Sequence, residues 1–414
     1  MKQGWEIKTL GQLADVKGGK RVPKGYRLET KPTDYPYIRV TDFNDSGSVD
    51  LNDLHYINKD VYEQIRNYTI TTSDLYISIA GTIGKTGIIP EELDGANLTE
   101  NACKLVFKVD VNPKLVYYFT KTESFLKQAG LNTRVAAMPK LALTRLSTIS
   151  LLFPKSLPEQ QRIVAILDEA FAAIAKAKAN AEQNLRNAKE LFESYLQSIF
   201  TKRGEGWMET TLGNVCQFEN GDRGKNYPNR EEYVALGIPW INTGHIQSDG
   251  TLSESEMNFI SRKKFESLRS GKIRQGDLVY CLRGATLGKT ALVDPFTEGA
   301  VASSLVIIRP NDLLDRHFLY YFLSSPLGQG LIKLYANGAA QPNLGAKSVA
   351  KYKISLPKLV EQKVIVQKLD ALSAETKKLE SIYQQKINDL DELKKSILQK
   401  AFSGELKASK EVAA

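Results

Sequence analysis

A chain that says the same things twice, in the same order, has few folds open to it. Across 414 residues, "WEIKTLGQLADV" (Trp5 to Val16) returns as "WMETTLGNVCQF" (Trp207 to Phe218). "YPYIRVTD" (Tyr35 to Asp42) is answered by "GIPWINTGH" (Gly237 to His245), and "AGTIGKTG" (Ala80 to Gly87) by "RGATLGKTA" (Arg283 to Ala291). "LVYYF" at Leu115 to Phe119 pairs with "FLYYF" at Phe318 to Phe322, and "AAMPKL" at Ala136 to Leu141 with "AAQPNL" at Ala339 to Leu344. An offset of about two hundred residues is far longer than a solenoid repeat and implies a duplicated domain with its connector.

Each copy has two parts. The first, about 150 residues, alternates short β-like runs such as "DLYISIA" and "DLVYCL" with Gly-, Thr-, Tyr- and Asn-rich loops, the pattern of a mixed α/β globule. The second part is free of Gly and Pro, from Glu159 to Phe200 and from Glu361 to Phe402, with a Leu-Pro just ahead of each. Apolar residues there follow heptad steps. One seam runs Ile163, Leu167, Ala170, Ile174, Ala177, Ala181, Ala188, Leu191, Tyr195, with a polar step at Asn184. The other runs Ile365, Leu369, Leu372, Thr376, Leu379, Tyr383, Leu390, Leu393, Ile397, with a polar step at Lys386. About 42 residues at about 1.5 Å each make a rod of about 63 Å, and the nearest partner for each stripe is the other one. The expected architecture is α+β: two mixed α/β globules separated by two long helices that form an antiparallel intramolecular coiled coil, with a pseudo-twofold internal repeat.

Composition sets the class. Apolar residues make up 42% and charged residues 25%, as in ordinary globular proteins. Cys103, Cys216 and Cys281 are far apart, which suits a reducing compartment better than a disulfide framework or zinc site. No apolar run approaches a membrane span and the N-terminus has no apolar signal core, so a cytoplasmic location is expected. A net charge of +9 favours polyanionic partners.

Catalytic signatures are missing. Both "GKT" loops end like a phosphate-binding loop, but Ile79 and Arg283 stand where its first glycine belongs. His55, His245 and His317 have no ligand spacing, and no nucleophile elbow or dinucleotide fingerprint is present. What recurs instead is a set of loops carrying Arg, Lys, Asn, Gln and Thr among glycines, the side chains that bond base edges and phosphates. In the first copy the candidate DNA-binding residues are Lys20, Arg21, Arg39, Thr41, Thr82, Lys85, Arg134 and Lys140. In the second they are Arg223, Lys225, Asn242, Thr243, His245, Arg283, Thr286, Lys289, Gln341 and Asn343. The scaffold phrases repeat while the loop chemistry differs, as two reading heads on one asymmetric target require.

Taken together, the repeated W-x-x-x-x-L-G opening, the paired glycine loops, the "LP-x-x-EQ" type of helix start and the closing "SILQKAFSGEL" (Ser396 to Leu406) resemble the DNA specificity subunits of type I restriction–modification systems. The resemblance covers nearly the whole chain. It implies target-recognition domains at 1–157 and 204–357, spacer helices at 158–203 and 358–406, and a tail at 407–414. It further implies a non-catalytic DNA-recognition subunit in which each domain reads one half of a bipartite target in double-stranded DNA, while the helices set the spacer and dock two modification subunits. No cofactor or metal is expected on this chain. S-adenosylmethionine would belong to the modification subunits, and ATP with Mg to the restriction or translocase subunits. One departure stands out, since the second copy inserts Lys358-Leu359-Val360 after its Leu-Pro, so the two docking ends need not be equivalent. The competing readings are an enzyme with an unfamiliar site and a protein-binding adaptor or scaffold with duplicated domains.

Overall fold

The computed structural model describes residues 3–108, 110–130, 140–202, 204–336 and 343–406. The chain divides into two compact units. Met1–Ala181 with Gln385–Ala414 form the first, and Glu182–Gln384 form the second. Each unit therefore holds one globule and a stretch of both long helices, Leu157–Thr201 and Leu359–Ser403, each of 45 residues.

In the first unit, strand Trp5–Thr9 pairs antiparallel with Ser150–Pro154, so the globule begins and ends on one ribbon beside the start of the first long helix. An antiparallel sheet follows in the order Ala14–Gly18, Ala102–Phe107, Leu75–Ser78, Thr86–Gly87. A small mixed sheet pairs Pro36–Ile38 antiparallel with His55–Tyr56 and parallel with Asn97–Leu98. The second unit repeats this plan. Its ribbon is Met208–Thr211 with Lys353–Leu356, and its four-stranded sheet runs Cys216–Asn220, Leu305–Pro310, Leu278–Cys281, Thr290–Leu292. Its mixed sheet has five strands and keeps the parallel pair, here Ile238–Ile241 with Glu298–Val301.

The repeated L-G phrase has a packing cause. Leu10 and Leu212 are fully buried, and their N–H groups donate to the carbonyls of Ile149 and Tyr352 at 2.8 and 2.9 Å. A Cβ on Gly11 would lie 3.0 Å from the Ser147 carbonyl, and one on Gly213 3.1 Å from that of Ala350, so glycine lets the opening turn close on the short helix that leads into the globule's last strand. The phosphate-loop mimics are hairpin turns. Gly81 and Gly84, and Gly284 and Gly288, take left-handed conformations. Gly84 N–H donates back to the Ser78 carbonyl at 3.0 Å and Gly288 N–H to that of Cys281 at 2.9 Å, so these donors close the turn instead of facing a phosphate.

Within each unit the two helix stretches run in opposite directions, as the sequence predicts. In the first unit Arg162 donates to the Leu406 carbonyl at 3.3 Å, Lys394 lies 5.1 Å over the Phe171 ring, and Lys178 pairs with Asp391 at 2.7 Å. Ile163, Leu167, Leu398 and Ala401 share a core with Leu10, Phe119 and Phe125. In the second unit Leu196 and Phe200 join Val366 and Leu369 around Phe318 and Phe322. In the first helix the predicted seam holds through Ala188 and then slips, while in the second Leu379 is already exposed. Leu191 is 54% exposed, and Phe192, Leu196 and Phe200 face inward instead. Leu393 is 47% exposed, and Ile387 takes the buried step assigned to Lys386. An α-helix drifts about 20° per heptad against a strict seven-residue repeat, and here the helices must also cover a globule, which pulls the buried face one residue onward.

The inserted tripeptide of the second copy proves smaller than it reads. Gln160 and Gln362 are both fully buried in the first turn of their helices. Gln160 accepts from Asn112 N–H at 2.8 Å and donates to the carbonyls of Asp110 and Pro154 at 2.9 and 3.1 Å. Gln362 accepts from Asp315 N–H at 2.8 Å and donates to the carbonyls of Leu313 and Pro357 at 2.8 and 2.9 Å. Pro154, not Pro158, is thus the counterpart of Pro357, and the helix starts are equivalent in their anchoring.

Candidate nucleic-acid interface

In each globule, loops far apart in sequence converge on one three-residue stretch between two strands. In the first unit this hub is Thr99–Asn101. A Cβ on Gly19 would lie 2.1 Å from the Thr99 carbonyl, which seats the first loop on the hub. Arg21 donates to the Glu100 carboxylate at 2.7 Å, and Lys140 Nζ to the Glu100 carbonyl at 2.7 Å. Ile79 and Ala80 N–H donate to the Asn101 carbonyl at 2.8 and 3.1 Å, and Leu141 N–H to the Ile79 carbonyl at 2.9 Å. Burial pushes the Glu100 carboxyl up, but bonds from Arg21, its own backbone and Thr99 outweigh this and hold it below its usual value.

The second hub, Ala302–Ser304, repeats the geometry with other side chains. Gly221 would place a Cβ 2.3 Å from the Ala302 carbonyl, and Arg223 donates to that of Ser303 at 3.3 Å. Leu282 N–H donates to the Ser304 carbonyl and Leu344 N–H to that of Leu282, both at 2.9 Å. Arg283 and Asn343 are bridged backbone to backbone. Together Asn220, Arg223, Ser270, Arg283 and Asn343 line a cleft of about 440 Å³. Two guanidinium groups beside amides suit guanine O6 and N7, an adenine edge or a phosphate. No group of three metal-ligating side chains occurs among the described residues, and no described helix is long and apolar enough to cross a membrane.

A duplicated frame is also what comparison with known proteins returns. The family model described as type I restriction modification DNA specificity domain matches twice, over residues 2–183 and 204–389. The chain belongs to this family. Among curated relatives, the EcoBI specificity subunit of Escherichia coli is 24% identical, with 98% of this chain and 86% of the relative covered. The MjaVIII specificity subunit of Methanocaldococcus jannaschii is 22% identical, covering 98% and 93%. Among solved structures, a chain from a type I R-M system aligns with a TM-score of 0.79 at 18% identity, covering 98% of this chain and 99% of that one. The HsdS subunit from Thermoanaerobacter tengcongensis aligns with a TM-score of 0.62 at 19% identity, covering 98% of each.

In this specificity-domain chain the candidate residues divide into those that face outward and those committed to the frame. Arg21, Lys225, Arg283 and Lys289 are exposed, as is Lys20, whose ammonium stands 5.5 Å over the Tyr68 ring. Thr41 and Thr82 are exposed on their turns, while Thr243 and Thr286 are half-buried. Arg39 is spent on its own globule. It bonds Asp42 at 2.6 Å, Asp53 at 3.1 Å and His55 at 3.2 Å, which raises its pKa, chiefly through Asp42. Lys85 reaches the Phe43 carbonyl at 2.7 Å and Asp45 at 3.5 Å, tying two loops together. Asn242 caps the turn that follows it by accepting from Gly244 N–H at 2.8 Å.

His245 is buried, its Nδ1 accepting from Asn242 N–H at 3.1 Å, and burial lowers its pKa. It shapes the turn and offers no outward edge. Arg134 and Gln341 lie outside the described residues. Sequence reasoning passed over Arg27 and Lys31, both exposed beyond "KGGKRVPKG", although the basic run continuing past Gly25 was a signal for them. It also passed over Glu100, which offered no signal, because its two partners are 79 and 40 residues away.

Proposed function

We propose that this chain is the DNA-reading, non-catalytic subunit of a type I restriction–modification complex, each globule reading one half of a split, asymmetric target in double-stranded DNA. The observation that carries this is the pair of matching hubs on which the same loops converge while their outward side chains differ. One frame with two chemistries reads two unlike half-sites. Arg21 with Lys20 and Lys140 serve the first, and Arg223, Arg283 and Asn343 the second. The functional modules are 1–157 and 204–357, joined by the spacer helices 158–203 and 358–406.

The helices fix the number of unread base pairs and offer their outward faces to two modification subunits. Those subunits use S-adenosylmethionine to methylate adenine, and restriction subunits joining the complex use ATP with Mg. The chain itself binds none of these and works in the cytoplasm. The test is a methylome. The chain is expressed with its modification subunits in a methylation-free host and N6-methyladenine is mapped genome-wide. A single split motif with a fixed gap, absent when this chain is omitted, is the expected result. An assembled complex that leaves no methylation would favour a protein-binding adaptor.

A further inference from the structure

Adjacent tyrosines stand at the same place in each globule, Tyr117 and Tyr118 in the helix Pro113–Thr120 and Tyr320 and Tyr321 in the helix Arg316–Ser324. Neighbours on a helix point about 100° apart, so such a pair reaches two different partners. The first tyrosine faces the loops. Tyr117 donates to the Ser46 carbonyl at 3.2 Å and Tyr320 to the Asp249 carbonyl at 3.0 Å. Each carbonyl precedes a left-handed glycine, Gly47 or Gly250, whose missing Cβ would lie 2.5 or 2.2 Å from the tyrosine ring. These turns belong to the loop cluster. Gly47 and Gly250 carbonyls accept from Ile88 and Leu292 N–H, both at 3.0 Å, just beyond the two "GKT" loops.

The second tyrosine turns the other way. Tyr118 donates to the Asp168 carboxylate and Tyr321 to that of Asp370 at 2.6 Å, one on each long helix. Burial, reinforced by the carboxylate, raises the pKa of both hydroxyls, so they remain donors. The path from loop to long helix thus passes through two neighbouring residues, and it occurs once in each unit.

We propose that the tandem tyrosines are positioning residues that lock the reading loops of each globule to its long helix, holding the half-site in one register with the spacer. The proposal rests on the DNA-reading function above. Tyr118→Phe keeps the ring, which packs edge-on to Phe171 at 5.3 Å, and removes only the hydroxyl. In the complex with modification subunits, the methylome of this variant should keep its half-site letters. Methylation at gaps one base pair longer or shorter should rise about tenfold, the scale of one charge-assisted hydrogen bond.

Tyr321→Phe should do the same from the other unit. Asp168→Asn, whose amide oxygen still accepts from Tyr118, should keep the gap strict. Tyr117→Phe, at the loop end, should loosen letters of the first half and leave the gap strict. A gap that stays strict in both Tyr118→Phe and Tyr321→Phe, even with a lowered Tm, overturns the proposal, and so does letter loosening in both halves of either variant. A wild-type complex that yields no split motif sinks the underlying DNA-reading function instead, and the coupler with it.

Discussion

Glu100 and Ser303 hold the same place in the two hubs, and one charge separates them. The carboxylate fixes Arg21 at 2.7 Å, while Arg223 holds Ser303 only through its carbonyl at 3.3 Å. Arg283 is exposed where the first copy has Ala80, so its guanidinium has no counterpart there. Replacing Arg283 with Ala should cost about 1–3 kcal/mol of discrimination at one base pair of the second half-site and leave the first untouched, as competition binding with single-base variants would show. Gln160 answers to a different measurement. Gln160→Ala strands one N–H and two carbonyls at the foot of the helix and should destabilise the first unit by about 2–4 kcal/mol, read as a lowered urea midpoint. His245 adds a pH term. Its folded pKa lies below the ordinary 6.5, so the unfolded chain binds more protons in that window. Stability should fall as pH drops below about 6.5, and less steeply in His245→Asn.

Among elements, the long helices were the most legible and also the place where sequence reading slipped. Forty-odd residues without Gly or Pro announced them, and Ile163, Leu167 and Ala181 lie buried as the heptads required. Leu191 did not, because a seam counted from one partner helix ignores the globule that claims the other side. The Leu-Pro alignment misled for a related reason. Pro158 lies inside its helix while Pro357 directly follows a strand, and only the bonds of Gln160 and Gln362 show which residues correspond. Because each unit holds stretches of both helices in opposite directions, a heptad must be inserted into both to preserve pairing. Seven residues add about 10 Å, or about three base pairs at 3.4 Å each. The expected outcome is a gap about three base pairs longer with unchanged half-sites, again read by methylome.

At the scale of the whole chain the duplication carried most of the information. It implies two globules, two long helices and loops at matching positions in the two copies. It left open which loop residues point outward. Arg39 and Lys85 look like readers on paper, yet both are consumed by carboxylates and carbonyls brought close only by folding. Exchanging 1–157 for the counterpart block of a related chain should change one half-site only. DNA binding should weaken about a thousandfold or more between about 50 and 200 mM salt if several phosphates are neutralised per globule, whereas binding of a protein partner by an adaptor should not.

The two short ribbons carry a mechanical meaning as well. Trp5–Thr9 lies against Ser150–Pro154, and Met208–Thr211 against Lys353–Leu356, so each globule is threaded by the chain at a single port. Tension pulled along a long helix would be shared among that ribbon, the buried glutamine beside it and the tyrosine that bonds the helix carboxylate, Tyr118 to Asp168 in one unit and Tyr321 to Asp370 in the other.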